Sequence, residues 1–489
     1  MSMIAFNQVP VDLRRPGQYI EYDNRRAVRG LVGMPRKILM IGQMLSTATV
    51  AEATPVPVTD PAGAAVAFGY GSMLHQMAIR LRDANNYHQL VCMGLADASA
   101  GTAASGDISF TATSVKAGTL NLWIGGRRIR VGVKTGDAAT VIATAVAAAI
   151  NGDGMLPVTA AVDGEDAFKV NLTARHKGEL GNSIDVRINY YDDEFRPLGL
   201  TVAITAMSGG TGNPEIDSVI AAMGPTWYTD IITPYTDATN LAALEAELED
   251  RFGPMEMQDG IAYSARAGTH GALSTFGDGR NSPSVTIIGI NGCPTPPWEI
   301  AAAYGGVISF NAAIDPARDY QTLRLPGVLA PATDAQFTDM EQELLLYEGI
   351  TPTYCVGSDV HITRAITTYQ VNAQGLEDTS YLRLVTMTLL AYLRYSERHT
   401  IATTFPRFKL ADNGTRPSAN VITPDGIRNE LISLYKKWEG AGLVHQVDEF
   451  IEELRVERDP NNPDRVNVLN PAKLIGNFLI YASKIQYSL

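Results

Sequence analysis

The chain runs to 489 residues, with 45% apolar and 19% charged residues and a formal net charge of −13 at pH 7. That length gives material for about three domains with sizeable cores, and the composition is that of a soluble globular protein. A membrane-spanning chain is excluded because no apolar run reaches the ~18 residues a spanning helix needs, and the acidic balance disfavours a nucleic-acid backbone as main partner, which would need clustered Lys and Arg.

The opening, MSMIAFNQVPVDLRRPG, lacks a basic segment followed by an apolar one, so no signal peptide is expected and synthesis in a cytosol follows. Across residues 1–30, Pro10, Pro16, Gly17 and Gly30 punctuate short extended pieces, of which Tyr19, Ile20, Glu21 and Tyr22 are the most strand-like. Such an arm cannot bury itself. It reads either as a frayed terminus or as a strand that joins a neighbouring subunit's sheet, and its aromatic and β-branched content favours the second.

Residues 31–98 read as the first part of a main body. Lys37 to Leu45 is a continuous apolar run suited to a buried strand, followed by a Thr/Pro-rich loop and a helix from about Ala64 to Asn85. Asp97 to Gly106 reads as a small-residue linker, with Ser208 to Gly212 as the return linker. Between them, residues 99–212 read as an inserted α+β domain. Leu120 to Ile124 and Arg128 to Val133 flank Gly125-Gly126 as a hairpin, Asp137 opens an alanine-rich helix to Ile150, and strands follow at Ala167 to Thr173 and Ser183 to Tyr190. The basic cluster Arg127-Arg128-Ile129-Arg130 is best read as an alternating strand with one solvated face.

From Asp217 strand-like and helical patterns alternate: Trp227 to Thr233, a helix ending at Phe252, Ile261 to Ser264, a short helix near Ala272, Val285 to Ile290, and a helix from Trp298 to Phe310. Such β-then-α units imply a mostly parallel sheet flanked by helices, so the fold class is α/β, with residues 213–375 as its core. Thr338 and Glu341 form a candidate capping box. Thr353 to Val356 and Val360 to Tyr369 read as a hairpin around Gly357-Ser358-Asp359, with Arg364 interrupting the apolar side of the second strand.

Residues 376–475 read as a C-terminal domain. Asp378 is placed to cap a long apolar helix through Leu382, Val385, Leu389 and Leu393. A second helix, capped by Thr423 with Pro424 in its first turn, buries Ile427, Leu431, Leu434, Tyr435 and Trp438 and leaves Arg428, Lys436 and Lys437 off the stripe. Phe450 to Arg458 and Arg465 to Leu469 read as a hairpin. Residues 476–489 form a terminal strand arm in which Phe478, Leu479, Ile480, Tyr481, Ile485 and Tyr487 carry a β pattern to the end, and a well-patterned strand there wants a sheet to join.

Catalytic signatures are sparse. Neither a phosphate-binding loop nor a dinucleotide fingerprint is present, and the seven histidines are scattered without metal-ligand spacing, so no cofactor or metal is expected. Cys92, Cys293 and Cys355 read as reduced thiols. The best enzyme candidate pairs Ser72 with His270 as in subtilisin-like proteases, but their chain order is reversed relative to that family and Ser72 falls at a helix start, where serine is a routine cap.

Three separated runs, VPVDLRRPGQYIEYDNRRA, RDYQTLRLPGVLAP and VHITRAITTYQVNAQGLEDTSYL, together resemble the tail sheath proteins of Mu-like contractile phages. The resemblance implies a non-enzymatic virion protein with a subtilisin-like fold lacking its catalytic residues, assembled in the host bacterial cytoplasm. It implies copies of the chain in hexameric rings stacked into a helical sheath, contacts with a tail tube protein and with baseplate and tail terminator proteins, and neither nucleic-acid binding nor membrane insertion. On that footing both terminal arms exchange strands with adjacent subunits, the inserted domain faces outward, and the helix bearing Arg428, Lys436 and Lys437 faces the tube. The alternatives are an α/β hydrolase of subtilisin-like type and a non-polymerising tail-fibre or adhesin module.

Overall fold

The computed structural model describes residues 14–20, 30–415 and 419–488. It divides into two compact units, Pro35–Tyr392 with Gly476–Leu489, and Leu393–Ile475 with the N-terminal residues to Met34.

In the larger unit, β1 (Lys37–Gln43) buries Ile38, Leu39, Met40 and Ile41 completely, as a strand apolar on both faces must. β2 (Val56–Pro57) forms an antiparallel edge, where a proline costs no ladder bond. The single helix expected from Ala64 to Asn85 is two: α1 (Pro61–Phe68), capped by Asp60, and α2 (Met73–Ala84), capped by Ser72. The break lies at Gly69 and Gly71, both at positive φ, and a Cβ on Gly71 would stand 1.8 Å from the Gly154 carbonyl oxygen. β3 (Gln89–Leu95) then pairs in parallel with β1.

The inserted region carries β4 (Ala103–Ala112), β5 (Gly118–Ile124), β6 (Arg127–Val133), α3 (Ala139–Gly152), β7 (Val158–Val162), β8 (Lys169–Lys177), β9 (Val186–Ile188) and β10 (Leu200–Ser208). They form two sheets, ordered β10-β4-β8-β7 and β6-β5-β9. The β5–β6 turn sets Gly125 and Gly126 at positive φ, as a two-residue hairpin demands. Part of the expected first linker is strand: β4 begins at Ala103, inside a small-residue run whose composition reflects close packing, since Ala104 Cβ lies 2.9 Å from where Gly181 would carry a Cβ. Asp137 does not cap α3; its carboxylate instead accepts the Lys134 amide at 2.7 Å.

Beyond the insert come α4 (Asp217–Met223), β11 (Asp230–Ile232), α5 (Ala238–Phe252), β12 (Ile261–Ala267), α6 (His270–Asp278), β13 (Val285–Ile290) and α7 (Pro297–Ile314). The repeating β–α units complete a six-stranded sheet, β13-β12-β11-β1-β3-β2, parallel except for β2. At its amino edge a buried ion pair joins β1 to β11. Arg36 donates to Asp230 at 3.0 Å, Tyr263 Oη donates to the same carboxylate at 3.0 Å, and Thr229 Oγ1 donates to it at 2.7 Å. Burial lowers the Arg36 guanidinium's pKa, but Asp230 outweighs it and holds the group above its ordinary value.

β14 (Arg324–Leu329), β15 (Thr353–Val356) and β16 (Asp359–Ile362) form a second small sheet, with α8 (Asp339–Tyr347) opened by the expected Thr338–Glu341 capping box. The strand expected to reach Tyr369 ends at Ile362. Past it, Thr367 and Thr368 donate their hydroxyls to Tyr381 and Ser282 carbonyls, and the Thr286 and Thr351 hydroxyls donate to the Ile366 carbonyl. These side-chain bonds replace a ladder. Asp378 likewise does not cap the next helix. Its carboxylate accepts from Tyr369 Oη and the Ser380 amide, and α9 (Leu384–Thr404) starts later.

The smaller unit holds β17 (Lys409–Leu410), β18 (Val421–Ile422), α10 (Pro424–Gly440), α11 (Val447–Glu453), β19 (Arg455–Arg458) and β20 (Val466–Leu469). Thr423 caps α10 through the Gly426 amide, and Leu431, Leu434, Tyr435 and Trp438 form its buried stripe. Phe450, expected in a strand, lies in α11 because its ring stacks on Tyr435 at 3.7 Å between centroids. That contact holds the segment against α10, and the strand begins only at Arg455.

Candidate assembly surfaces

The carboxyl ends of the parallel strands offer the usual ligand crevice of an α/β sheet, where strand order reverses between β1 and β11. Here the chain itself fills that place. Gln43, the last residue of β1, donates to Asp97 Oδ1 and to the Lys177 carbonyl, both at 2.7 Å. The Met73 amide donates to His176 Nε2 at 3.2 Å, so the ring proton sits on Nδ1 and points to Asp97 at 3.1 Å. The Lys177 amide donates to the other Asp97 oxygen. Nearby, Glu299 of α7 takes Arg80 of α2 at 2.5 Å and Arg127, the first residue of β6, at 3.4 Å. Polar bonds thereby tie residues 99–212 to the carboxyl ends of the sheet within one compact unit.

Burial pushes the Asp97 carboxyl up, but the hydrogen bonds from His176, the Lys177 amide and Gln43 outweigh it and hold it below the usual carboxylate range. A depressed carboxylate contributes stability above its unfolded pKa of about 4 and loses it as pH falls through the lower folded value. Wild type is therefore expected to melt above Asp97→Asn at neutral pH, with the gap closing as pH falls below about 4. Melting curves of both proteins across that range check this.

The Ser72–His270 pair makes no relay: Ser72 is fully buried with its Oγ accepting the His75 amide, and no hydrogen bond joins it to His270. Among the described residues no group of three or more His, Cys, Asp or Glu side chains could hold a metal ion. Burial raises the Cys92, Cys293 and Cys355 thiols, the latter two to about 12 and about 11.

Described residues near both chain ends expose large apolar side chains. Asn477 is tied down, donating to the Ala317 carbonyl at 2.7 Å and accepting from Arg383 at 2.5 Å. Past it, Phe478, Ile480, Tyr481, Ile485 and Tyr487 are 78–85% exposed, Leu479 is half-buried, and no described strand pairs with the segment. Burying each large side chain would contribute about 1.5–3 kcal/mol, a gain the isolated protomer leaves unused. At the other end Tyr19 and Ile20 are 42% and 82% exposed in chain that is neither strand nor helix, while Glu21 and Tyr22 lie outside the described residues.

The β19–β20 hairpin is a two-stranded sheet with Val468 and Leu469 exposed, and two strands alone are marginal in water. On α10, Lys436 and Lys437 are exposed, but Arg428 is spent inside its own unit on the Ile451 carbonyl. Sequence patterning could not separate these three cations, because the partner of Arg428 lies on another helix.

With the described surfaces in view, the class of protein is given by its relatives, which are tail sheath proteins. The phage tail sheath protein central domain matches residues 209–368, and the phage tail sheath C-terminal domain matches residues 377–485. The chain is 41% identical to the Mu-like prophage FluMu tail sheath protein of Haemophilus influenzae, over 99% of this chain and 100% of that one. The sheath tail protein of Desulfitobacterium hafniense has a similar fold, with a TM-score of 0.50 at 12% identity, covering 94% of this chain and 97% of that one. The contracted helical sheath of the anti-feeding prophage aligns with a TM-score of 0.48 at 11% identity over 97% of this chain and 99% of that one. The chain belongs to the phage tail sheath family and is a structural sheath subunit.

Proposed function

We propose that this subunit polymerises in rings stacked as a helical, contractile sheath around a tail tube, each copy lending its terminal arms to neighbouring copies. The observation that carries this reading is the C-terminal segment beyond Asn477: strand-patterned, largely exposed, and without a partner in its own protomer. The β19–β20 hairpin supplies an open edge of the kind such an arm can extend through main-chain bonds. Arms anchored to rigid bodies keep copies connected while those bodies rotate, which is what contraction requires of a lattice.

On this reading the parallel sheet is the subtilisin-like body without its catalytic function, and the inserted domain faces outward. Lys436 and Lys437 of α10 face the tube protein. Six copies form each ring, with baseplate and terminator proteins at the two ends of the stack. The sheath is part of the virion and is assembled in the host cytoplasm. Electron microscopy of the purified protein tests the reading: long hollow helical tubes are expected, and a solution that stays monodisperse at high concentration overturns it.

A further inference from the structure

Arg364 lies in the segment after β16 where the expected strand dissolves. It is half-buried, its Nε is sealed from solvent without an acceptor, and among the described residues it forms no ion pair. Its surroundings do not compensate it. Burial first, and then the neighbouring Arg383, push its guanidinium's pKa down against the weaker pull of Asp319 and Glu343.

Neither of those carboxylates pairs with it. Asp319 faces Arg383 at 3.6 Å and accepts the Gln321 amide at 3.0 Å, while Glu343 is exposed on α8 and makes no ion pair with Arg364. Next door, Thr363 is pinned by its hydroxyl to Gln342 at 2.7 Å, so the backbone here is held. A half-buried guanidinium without a counter-charge destabilises the fold that carries it. Arg383, which crowds it, is the residue that holds Asn477 at the root of the C-terminal arm.

We infer that Arg364 is an intersubunit anchor that takes a carboxylate from a second copy of the chain in the assembled sheath. This rests on the assembly reading above. A carboxylate matches the planar donor fork of a guanidinium, and a chain with 52 acidic against 39 basic residues offers such groups in excess. Arg383 bridges to Ile366, two residues past Arg364, and also holds Asn477, so the site lies beside the root of the C-terminal arm.

The test compares wild type with Arg364→Met, Arg364→Lys and Glu343→Gln. The readouts are the protomer melting temperature and the critical concentration for tube formation at low and high salt. Arg364→Met is expected to melt no lower than wild type and to raise the critical concentration about tenfold, with a weaker salt dependence. Arg364→Lys should fall between, and Glu343→Gln should behave as wild type. Wild-type assembly and salt dependence in Arg364→Met overturns the inference while leaving the assembly reading intact. So does a lowered melting temperature that Glu343→Gln reproduces, since the partner would then be internal. Wild-type protein that forms no tubes overturns the assembly reading itself.

Discussion

Removal of residues 478–489 is expected to abolish tube formation while leaving a folded protomer. The cut falls just after Asn477, so the bonds to Ala317 and Arg383 stay in place. The described large side chains removed, half-buried Leu479 apart, are 78–85% exposed and in no described sheet, so their loss removes little buried area and the melting temperature should move by less than about 2 °C. In the polymer the same side chains would be buried against another copy. At about 1.5–3 kcal/mol each, together with main-chain bonds, they would be a large part of the association energy. Sedimentation and electron microscopy beside a thermal melt separate the outcomes: tubes formed by the truncated chain would sink the arm exchange, and an unfolded truncation would show that the arm belongs to the protomer.

The second large effect is expected inside the body. Asp230→Ala should lower stability by about 3–5 kcal/mol, because it leaves Arg36 charged and buried with no counter-ion and strips Tyr263 and Thr229 of their acceptor. For a unit of this size that is about 4–6 °C in melting temperature. Replacing both charges, Arg36→Met with Asp230→Leu, should recover much of the loss, since an apolar pair of similar volume avoids the desolvation cost. A double change as damaging as Asp230→Ala alone would show that the pair sets the register of β1 against β11 and does more than neutralise itself. Calorimetry of the three proteins decides between these.

Much of the architecture was legible because its signals are local. The apolar run of β1, the alternating units that build the parallel sheet, the capping box at Thr338 and the Thr423-Pro424 start of α10 each depend on residues a few positions apart. Where local signals failed, a distant partner had claimed the group. Asp378 has the chemistry of a cap, but Tyr369 Oη takes its carboxylate. Phe450 has the propensity for a strand, but Tyr435 holds its ring in a helix. Ala103 to Gly106 has the composition of a linker and is a strand because β10 and β8 flank it.

The chain's own order of residues determined which segments are strands and helices apolar enough to need cover, and which ends carry a β pattern with nowhere local to go. Tertiary structure decided which charges are spent at home: Arg36 on Asp230, Glu299 on Arg80 and Arg127, Arg428 on Ile451, with Arg364 left over. The reason is that apolar periodicity is written along the sequence at steps of two to four residues, whereas a counter-ion is found through space and leaves no spacing to read.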